Sequence, residues 1–331
     1  LPEPQTTDTL PDVPDLQDVI GQSQAKRALE IAAAGSHNLL FIGPPGTGKS
    51  MLASRLPGIL PPLSEQEAQQ TAAIHSIGGL TPRAGHWHHR PYRTPHHSAS
   101  AVALVGGGSH PRPGEISLAH NGVLFLDELP EFERKVLDSL REPLETGHIT
   151  ISRAARQVDF PARFQLVGAM NPSPCGHYGD GQTRSSPDQI LRYLGKLSGP
   201  FLDRFDLTVE VPLLPKGSLT GKAERGESSR QIRERVLGAR ERMLSRNGKL
   251  NNLLDSREIE DICRLSPQDA EFLENAIQRL GLSIRAWHRI LRVSRTIADL
   301  AGHPAIEKEH LIEALGYRAL DRLLSRLRSG Q

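Results

Sequence analysis

Eight consecutive residues near the amino terminus constrain this chain more than any other part of its sequence. They match the phosphate-binding pattern G-x-x-x-x-G-K-[ST] in full and are Gly43, Pro44, Pro45, Gly46, Thr47, Gly48, Lys49 and Ser50. The loop stands between a short apolar run and a segment that we expect to be helical. Glycines let backbone N–H groups converge on phosphate oxygens, the lysine reaches the β- and γ-phosphates, and the serine ligates Mg²⁺. The sequence therefore predicts a site for ATP and Mg²⁺, and a chance glycine-rich turn is the weaker alternative.

A second motif, GVLFLDE at residues 122–128, is a buried apolar run that ends in two acids. In sheets of this kind ligands bind at the carboxyl ends of the strands. Asp127 would then help to hold Mg²⁺, and Glu128 would polarise the water that attacks the γ-phosphate. Alone, such a run is more often a strand end with solvated charges. Its pairing with the phosphate loop favours the catalytic interpretation.

Further short apolar runs, FQLVGAM and LTVEV, alternate with segments of helical periodicity. One such segment follows GVLFLDE, where helical spacing relates Phe132, Val136, Leu137, Leu140 and Leu144. This alternation predicts an α/β fold in which a mainly parallel sheet is flanked by helices. After Pro215 the composition turns polar and then helical, without a convincing strand. The predicted organisation is a linker at 1–14, an α/β ATPase subdomain with loop insertions at 15–215, a linker at 216–227 and an all-α lid at 228–331.

Composition excludes several classes of protein. The formal net charge is only +2, which by itself does not argue for nucleic acid. The two cysteines, Cys175 and Cys263, are too far apart in sequence to suggest a disulfide framework, which suits a reducing cytoplasm. No apolar run is long enough to span a bilayer, so we expect no membrane partner. The Pro- and Thr-rich start reads as a linker, and we expect the natural chain to continue upstream.

Six motifs together carry a specific resemblance over nearly the whole chain: GPPGTGKS, RTPHHSAS (93–100), NGVLFLDELPEF (121–132), GAMNPSPCGHY (168–178), LSGPFLDRFDL (197–207) and LSIRAWHRILRVSRTIADL (282–300). By these the chain resembles the Mg-chelatase-like branch of the AAA+ superfamily, and within it the bacterial ComM (YifB) family. The resemblance implies a homo-hexameric, ATP-driven DNA helicase that promotes branch migration when incoming DNA recombines during natural transformation. It also implies an upstream Lon-protease-like domain, which this sequence does not contain.

The resemblance assigns roles to four more residues. Asn171 matches the polar sensor that orients the lytic water, and Arg204 matches the arginine finger offered to a neighbouring subunit. Arg285 matches the second sensor of the lid, and Ile20 lies in the segment VIGQ that lines the adenine pocket. Each has a plainer alternative: a turn before proline, a local ion pair, a solvated helix face, or a loop that enters a helix. The nucleotide is expected at the junction of the two subdomains.

Two segments are candidates for contact with single-stranded or branched DNA: the His- and Arg-rich stretch 78–100 and a predicted hairpin at 148–160. Basic side chains there could follow phosphates, and Trp87 and Tyr92 could stack on bases. The candidate contacts are Arg83, Arg90, Arg93, Arg153 and Arg156. The histidines could instead pack within the fold or bind metal adventitiously. Cys175 with His177 offers at most two of about four ligands that zinc needs, so we predict no metal site there.

Two functions remain open from the sequence. One is the DNA motor. The other is a protein-remodelling ATPase, analogous to the motor subunit of magnesium chelatase, which would be indifferent to DNA and need a partner subunit.

Overall fold

The computed structural model of the chain describes residues 13–81, 84–153, 156–221 and 225–330, except for the side chain of Arg153. The predicted linker at 1–14 therefore lies almost entirely outside the described residues. The strands are β1 (Leu39–Ile42), β2 (Tyr92–Arg93), β3 (Gly106–Gly107), β4 (Arg112–Pro113), β5 (Val123–Leu126), β6 (His148–Arg153), β7 (Arg156–Pro161), β8 (Gln165–Met170) and β9 (Leu207–Glu210).

The helices of the first two thirds of the chain are mostly short: α1 (Ser23–Gly35), α2 (Lys49–Ser54), α3 (Glu65–Ile77), α4 (Ala101–Val105), α5 (Glu115–Leu118), α6 (Arg134–Asp138), α7 (Arg141–Thr146), α8 (Pro187–Leu194) and α9 (Gly199–Leu202). The remainder is helical: α10 (Ser229–Asn247), α11 (Ser256–Ile262), α12 (Pro267–Arg279), α13 (Ile284–Ala301), α14 (Lys308–Leu315) and α15 (Ala319–Ser329). Within the described ranges, none of these helices has both the length and the apolar character needed to cross a bilayer.

A parallel sheet in the order β2-β5-β8-β1-β9 forms the centre of the molecule. Strand β1 pairs with β8 on one side and with the edge strand β9 on the other, so that Ile42 stands beside Met170 and Glu210. All of these pairings are parallel, which confirms the predicted α/β fold with flanking helices. Because the strands run in one direction, the loops after β1, β5 and β8 all emerge at one edge of the sheet.

The two faces of the sheet bury different helices, because successive side chains of a strand point to opposite faces. Leu39 and Phe41 belong to a core shared with α1, α2, α10 and α13. Leu40 and Ile42 belong to a second core shared with α5, α6, α8 and α15. These strand residues are almost completely buried, as expected for a parallel sheet covered on both faces.

The last helix, α15, returns to the sheet instead of staying with the other C-terminal helices. Its first residues meet the edge strand β9: Thr208 bridges to Arg318, and the backbone N–H of Leu320 donates to Thr208 Oγ1 at 3.1 Å. A helix in this place covers the unpaired side of an edge strand, which would otherwise be open to pairing with another chain. The predicted lid at 228–331 took in this helix, and the domain boundaries stay a prediction.

Two expectations for shorter segments have different outcomes. The predicted hairpin forms, since β6 and β7 pair antiparallel from His148 opposite Pro161 to Arg153 opposite Arg156. The segment after β5 is not one continuous helix. It breaks into α6 and α7, although Val136, Leu137 and Leu140 are buried as its spacing predicts.

A buried carboxylate in α13 holds the C-terminal helices together. Asp299 is fully buried and accepts hydrogen bonds from Arg246 Nη1 at 3.2 Å, Arg295 Nη2 at 3.1 Å and Asn251 Nδ2 at 3.0 Å. Arg295 is itself only 2% exposed. A buried cation of this kind depends on its partner, because without it the charge would be left uncompensated.

We expect Asp299→Ala to lower the free energy of unfolding by about 3–5 kcal/mol, because Arg295 would remain buried without a counter-charge. The control is Asp261→Ala, which removes an exposed carboxylate that pairs with Arg264 at 3.8 Å and should cost at most about 1 kcal/mol. Urea unfolding of both variants beside the unsubstituted chain makes the comparison. Equal losses for the two variants would contradict the role of Asp299.

Candidate nucleotide site

The phosphate loop joins β1 to α2 in a conformation that requires its glycines. Gly46 and Gly48 have φ of +78° and +94°, a region that side-chain-bearing residues rarely adopt. The hydroxyl of Thr47 donates to Pro44 O at 3.0 Å and closes the loop on itself. The helix α2 begins at Lys49, so its N-terminal N–H groups open toward the loop.

Lys49 is buried under this loop. Its ammonium donates to Gly43 O at 2.6 Å, to Pro44 O at 2.8 Å and to Asn171 Oδ1 at 3.3 Å. Burial lowers the pKa of Lys49 to about 8, and the charge of Asp127 opposes that shift. The structure therefore brings together two predicted residues, Lys49 and Asn171, from loops that are 122 positions apart.

Ser50 and Asp127 meet at the same edge of the sheet. The Ser50 hydroxyl donates to Asp127 Oδ2 at 3.1 Å, and Asp127 Oδ1 accepts from the backbone N–H of Glu128 at 2.8 Å. A hydroxyl and a carboxylate are hard oxygen donors, and Mg²⁺ commonly takes only one or two protein ligands beside phosphates and water. These two residues therefore fit the predicted Mg²⁺ ligands.

The backbone of Glu128 is left-handed, with φ of +50°, which is uncommon for a residue with a side chain. Its carboxylate Oε2 lies 3.3 Å from His97 Nε2. The His97 ring stacks on His96 at 4.0 Å and meets Phe132 edge-on at 6.3 Å. No sequence pattern predicted the contact between His97 and Glu128. His97 belongs to the motif RTPHHSAS, but its spacing in sequence does not indicate that it lies near Glu128.

A cavity of about 730 Å³ opens beside these groups, and Glu128, Asn171, Cys175 and Arg192 are among its lining residues. Cys175 Sγ lies 3.2 Å from Ser173 Oγ. Hydrogen bonds from Ser173 and then Ser185 lower the pKa of the Cys175 thiol to about 6. This cysteine is therefore largely a thiolate at neutral pH, next to the predicted catalytic residues.

Two predicted arginines lie at the opposite edge of the sheet from the phosphate loop. Asn38, which precedes β1, donates to Arg204 O at 3.1 Å. From Asn38 to Gly43 a strand extends about 16 Å, more than an arginine side chain spans. Arg204 Nη2 pairs with Glu145 Oε1 at 2.5 Å, and Arg285 Nη1 pairs with Asp203 Oδ2 at 3.2 Å. Arg285 thus lies beside the Arg204 segment and not over this chain's own phosphate loop, and its role as second sensor stays a prediction.

The other arginines of α13 are not a solvated face, the alternative that their spacing left open. Arg289 and Arg295 are 7% and 2% exposed. Arg289 Nη1 donates to Asp203 O at 3.3 Å, and Arg292 Nη2 lies 3.7 Å from Asp206 Oδ1. Arg285 is the exposed member of the series, with 70% of its side chain accessible to solvent.

The predicted adenine segment borders a second cavity, also of about 730 Å³, which Val19, Ile20 and Gly21 help to line. Ile20 is 39% exposed. The next residue but one, Gln22, donates to Pro212 O at 2.8 Å and to Thr47 O at 3.4 Å. These hydrogen bonds tie the segment to the phosphate loop, and the adenine contact of Ile20 stays a prediction.

The predicted DNA contacts divide into three groups. Arg90 and Arg93 are engaged inside the fold: Arg90 donates to Pro61 O at 2.6 Å and Asn121 O at 2.8 Å, and Arg93 binds Glu115 through both ends of its guanidinium. Neither is therefore available for phosphate, which corrects the expectation from sequence. Arg156 is exposed on the β6–β7 hairpin. Arg83 and the side chain of Arg153 lie outside the described residues.

Comparison with known proteins places this geometry in one family. The pattern of magnesium chelatase subunit ChlI matches residues 15–219, and that of its C-terminal part matches residues 226–318. The chain is 64% identical to competence protein ComM of Haemophilus influenzae over 95% of its length, and 60% identical to protein YifB of Escherichia coli over the same share. It spans 62% of the length of each of these relatives. It is also 26% identical to the magnesium-chelatase 38 kDa subunit of Rhodobacter capsulatus, over 88% of this chain and 83% of that protein.

The environment of Cys175 predicts selective alkylation. With a pKa of about 6, Cys175 should react with iodoacetamide at pH 7, and its rate should fall as the pH drops through 6 because the thiolate is lost. Cys263 is the internal control, since burial raises the pKa of its thiol to about 12. Mass spectrometry of peptides after brief labelling between pH 5 and pH 9 measures both. Half-maximal labelling of Cys175 near pH 8.5, the value of an ordinary thiol, would contradict the assigned environment.

Proposed function

This chain belongs to the magnesium chelatase ChlI family, and on that basis we propose that it assembles into a hexameric ring, a cytoplasmic motor that uses ATP to act on DNA. One observation carries the ATPase part. Lys49, Asp127 and Glu128 converge at one edge of the sheet, as phosphoryl transfer requires, while Arg204 lies at the other edge.

Each group at the first edge has a distinct role in hydrolysis. The Lys49 ammonium exchanges the carbonyls that it now binds for β- and γ-phosphate oxygens of ATP. Ser50 and Asp127 would hold Mg²⁺, which neutralises charge on the phosphates when bound. Glu128 orients the attacking water, and Asn171 positions that water from the neighbouring strand end. His97 contacts the Glu128 carboxylate at Oε2, and the other carboxylate oxygen can accept from the water.

The arginines at the second edge support the proposed assembly into a ring. Arg204 and Arg285 lie too far from this chain's phosphate loop to reach its nucleotide, and both have partly exposed side chains. They would serve the nucleotide of an adjacent subunit, Arg204 as the finger and Arg285 as the second sensor. A finger supplied in this way is worth about 10³–10⁵ in rate, so a monomer should hydrolyse ATP feebly.

DNA is the proposed substrate because of the relatives and the exposed hairpin. The chain is far more similar to a protein named for competence, at 64% identity, than to a magnesium-chelatase subunit, at 26%. We assign it to branch migration when incoming DNA recombines during natural transformation. Arg156, exposed on the β6–β7 hairpin, is the contact that we retain for single-stranded or branched DNA.

A protein-remodelling ATPase is the second candidate, favoured by the family that the chain matches and by its likeness to the magnesium-chelatase 38 kDa subunit. Such a motor would act on a partner protein. It would hydrolyse ATP whether or not DNA is present, which separates it from the first candidate.

The first test is steady-state ATP hydrolysis with and without single-stranded DNA and four-way junctions, at low and moderate salt. We expect DNA to stimulate turnover and salt to weaken that stimulation, because phosphate contacts release counterions. Glu128→Gln is the blank, which should bind ATP and barely turn over, and Lys49→Ala should not bind ATP at all. Robust hydrolysis that no DNA changes would overturn the DNA motor in favour of protein remodelling.

The second test mixes subunits. Arg204→Ala should bind ATP but lose at least about 10³-fold in turnover, and Glu128→Gln should be equally inactive. Rings that contain both should recover part of the activity, because some interfaces then join an intact Glu128 to an intact Arg204. Mixtures that stay as inactive as either variant alone would argue against a finger supplied by the neighbour.

A further inference from the structure

A cationic groove lies between the end of α12 and the last helix, far along the chain from the phosphate loop. Two adjoining cavities of about 160 and 380 Å³ form it and share Leu280, Leu282 and Ser325 in their lining. We call it the α15 groove. One acid, Asp321, lines the groove. Its arginines are Arg279, Arg318, Arg322, Arg326 and Arg328.

The inner arginines are part of the fold but leave donors unused. Arg318 is 4% exposed, and its Nη2 pairs with Asp321 Oδ2 at 2.6 Å. Its Nε is buried and has no hydrogen-bond partner. Arg322 donates to Gly316 O at 3.2 Å, at the end of α14. Asp321 therefore neutralises only Arg318, and a buried guanidinium donor stays unsatisfied at the inner wall.

The outer arginines carry charge that the protein does not neutralise. Arg326 has only a distant partner, Glu210, at 3.9 Å, and both side chains are about half exposed. Among the described residues Arg279 and Arg328 have no acidic partner at all. In a chain whose formal net charge is only +2, this is a strong local concentration of positive charge. Such a concentration attracts polyanions.

We propose that the α15 groove binds the sugar–phosphate backbone of a nucleic-acid strand. Arg322 and Arg326 lie four residues apart on α15, so they stand about 6 Å apart along the helix and suit a linear polyanion, and Arg318 directly precedes the helix. Planar guanidinium groups bind phosphate through paired donors. The apolar floor of Leu280, Leu282 and Leu324 faces the same space and suits the sugars and bases of such a ligand.

The inference rests on the proposed action on DNA and adds a surface to it. The groove is formed by α12 and α15 and includes no residue of the 78–100 segment or of the β6–β7 hairpin. A strand engaged by the motor would therefore meet a second contact, built on the helix that also covers the edge strand of the sheet.

The test is the salt dependence of binding to a fluorescent single-stranded oligonucleotide without ATP. Arg279→Gln, Arg326→Gln and Arg328→Gln are combined in one variant, because all three side chains are exposed and their loss should not affect folding. Removing three phosphate contacts should lower the slope of log affinity against log salt by about 2. The matched control is Arg257→Gln on α11, an exposed arginine outside the groove, which should leave the slope unchanged.

The outcomes separate this inference from the proposed function. If the wild type binds DNA and the triple variant has the same slope, the proposed role of the groove is overturned, but the proposed DNA motor is not. Absence of wild-type binding to any DNA would overturn both. Loss of assembly in sedimentation, in place of a change in slope, would reassign the groove to subunit contact. Inorganic tripolyphosphate could stabilise the wild type but not the triple variant, while DNA stabilises neither. That result would identify the ligand as a free polyphosphate and overturn the proposal that the groove binds a nucleic-acid strand.

Discussion

The parallel pairing of β1 between β8 and β9 is the constraint on which the rest of this structure depends. Its register sets Ile42 beside Met170 and Glu210, so the loops that follow β1 and β8 leave the sheet side by side. Lys49 and Asn171 meet for this reason. The same register sends the segment before β9 to the opposite edge, beside Asn38. One backbone arrangement thus separates the predicted nucleotide-binding groups, Lys49 and Asn171, from Arg204, the proposed arginine finger.

The helical part of the chain is joined to that second edge by a buried ionic cluster. Asp206 accepts from His37 at 3.1 Å and lies 3.7 Å from Arg292. Burial opposes its charge, but the hydrogen bond from His37 and the charge of Arg292 still lower the pKa of Asp206. Because α13 is held at this cluster, Arg285 at its start is fixed near Asp203.

Glu128, the proposed water-positioning residue, is constrained in its backbone and at its carboxylate. Glu128 occupies a left-handed backbone conformation and faces His97, which belongs to the segment after β2. Strained residues of this type cluster at functional sites, where the surrounding structure stabilises them. His97 lies in the same segment as Arg90 and Arg93. The position of that segment and the position of the Glu128 carboxylate are therefore linked through the contact with His97.

The sequence by itself determined the α/β fold, the phosphate loop and the acids after β5, because each depends on short-range spacing that a strand, a turn and a helix impose. It also determined the β6–β7 hairpin. Only the tertiary structure decided which arginines form hydrogen bonds within the protein. Arg90 and Arg93 cannot be distinguished from Arg156 by sequence, but their partners lie 22 to 31 residues away along the chain. The contact of His97 with Glu128, the place of Arg285 and the return of α15 to the sheet were decided in the same way. Such contacts depend on how separate segments pack, and local periodicity carries no record of that packing.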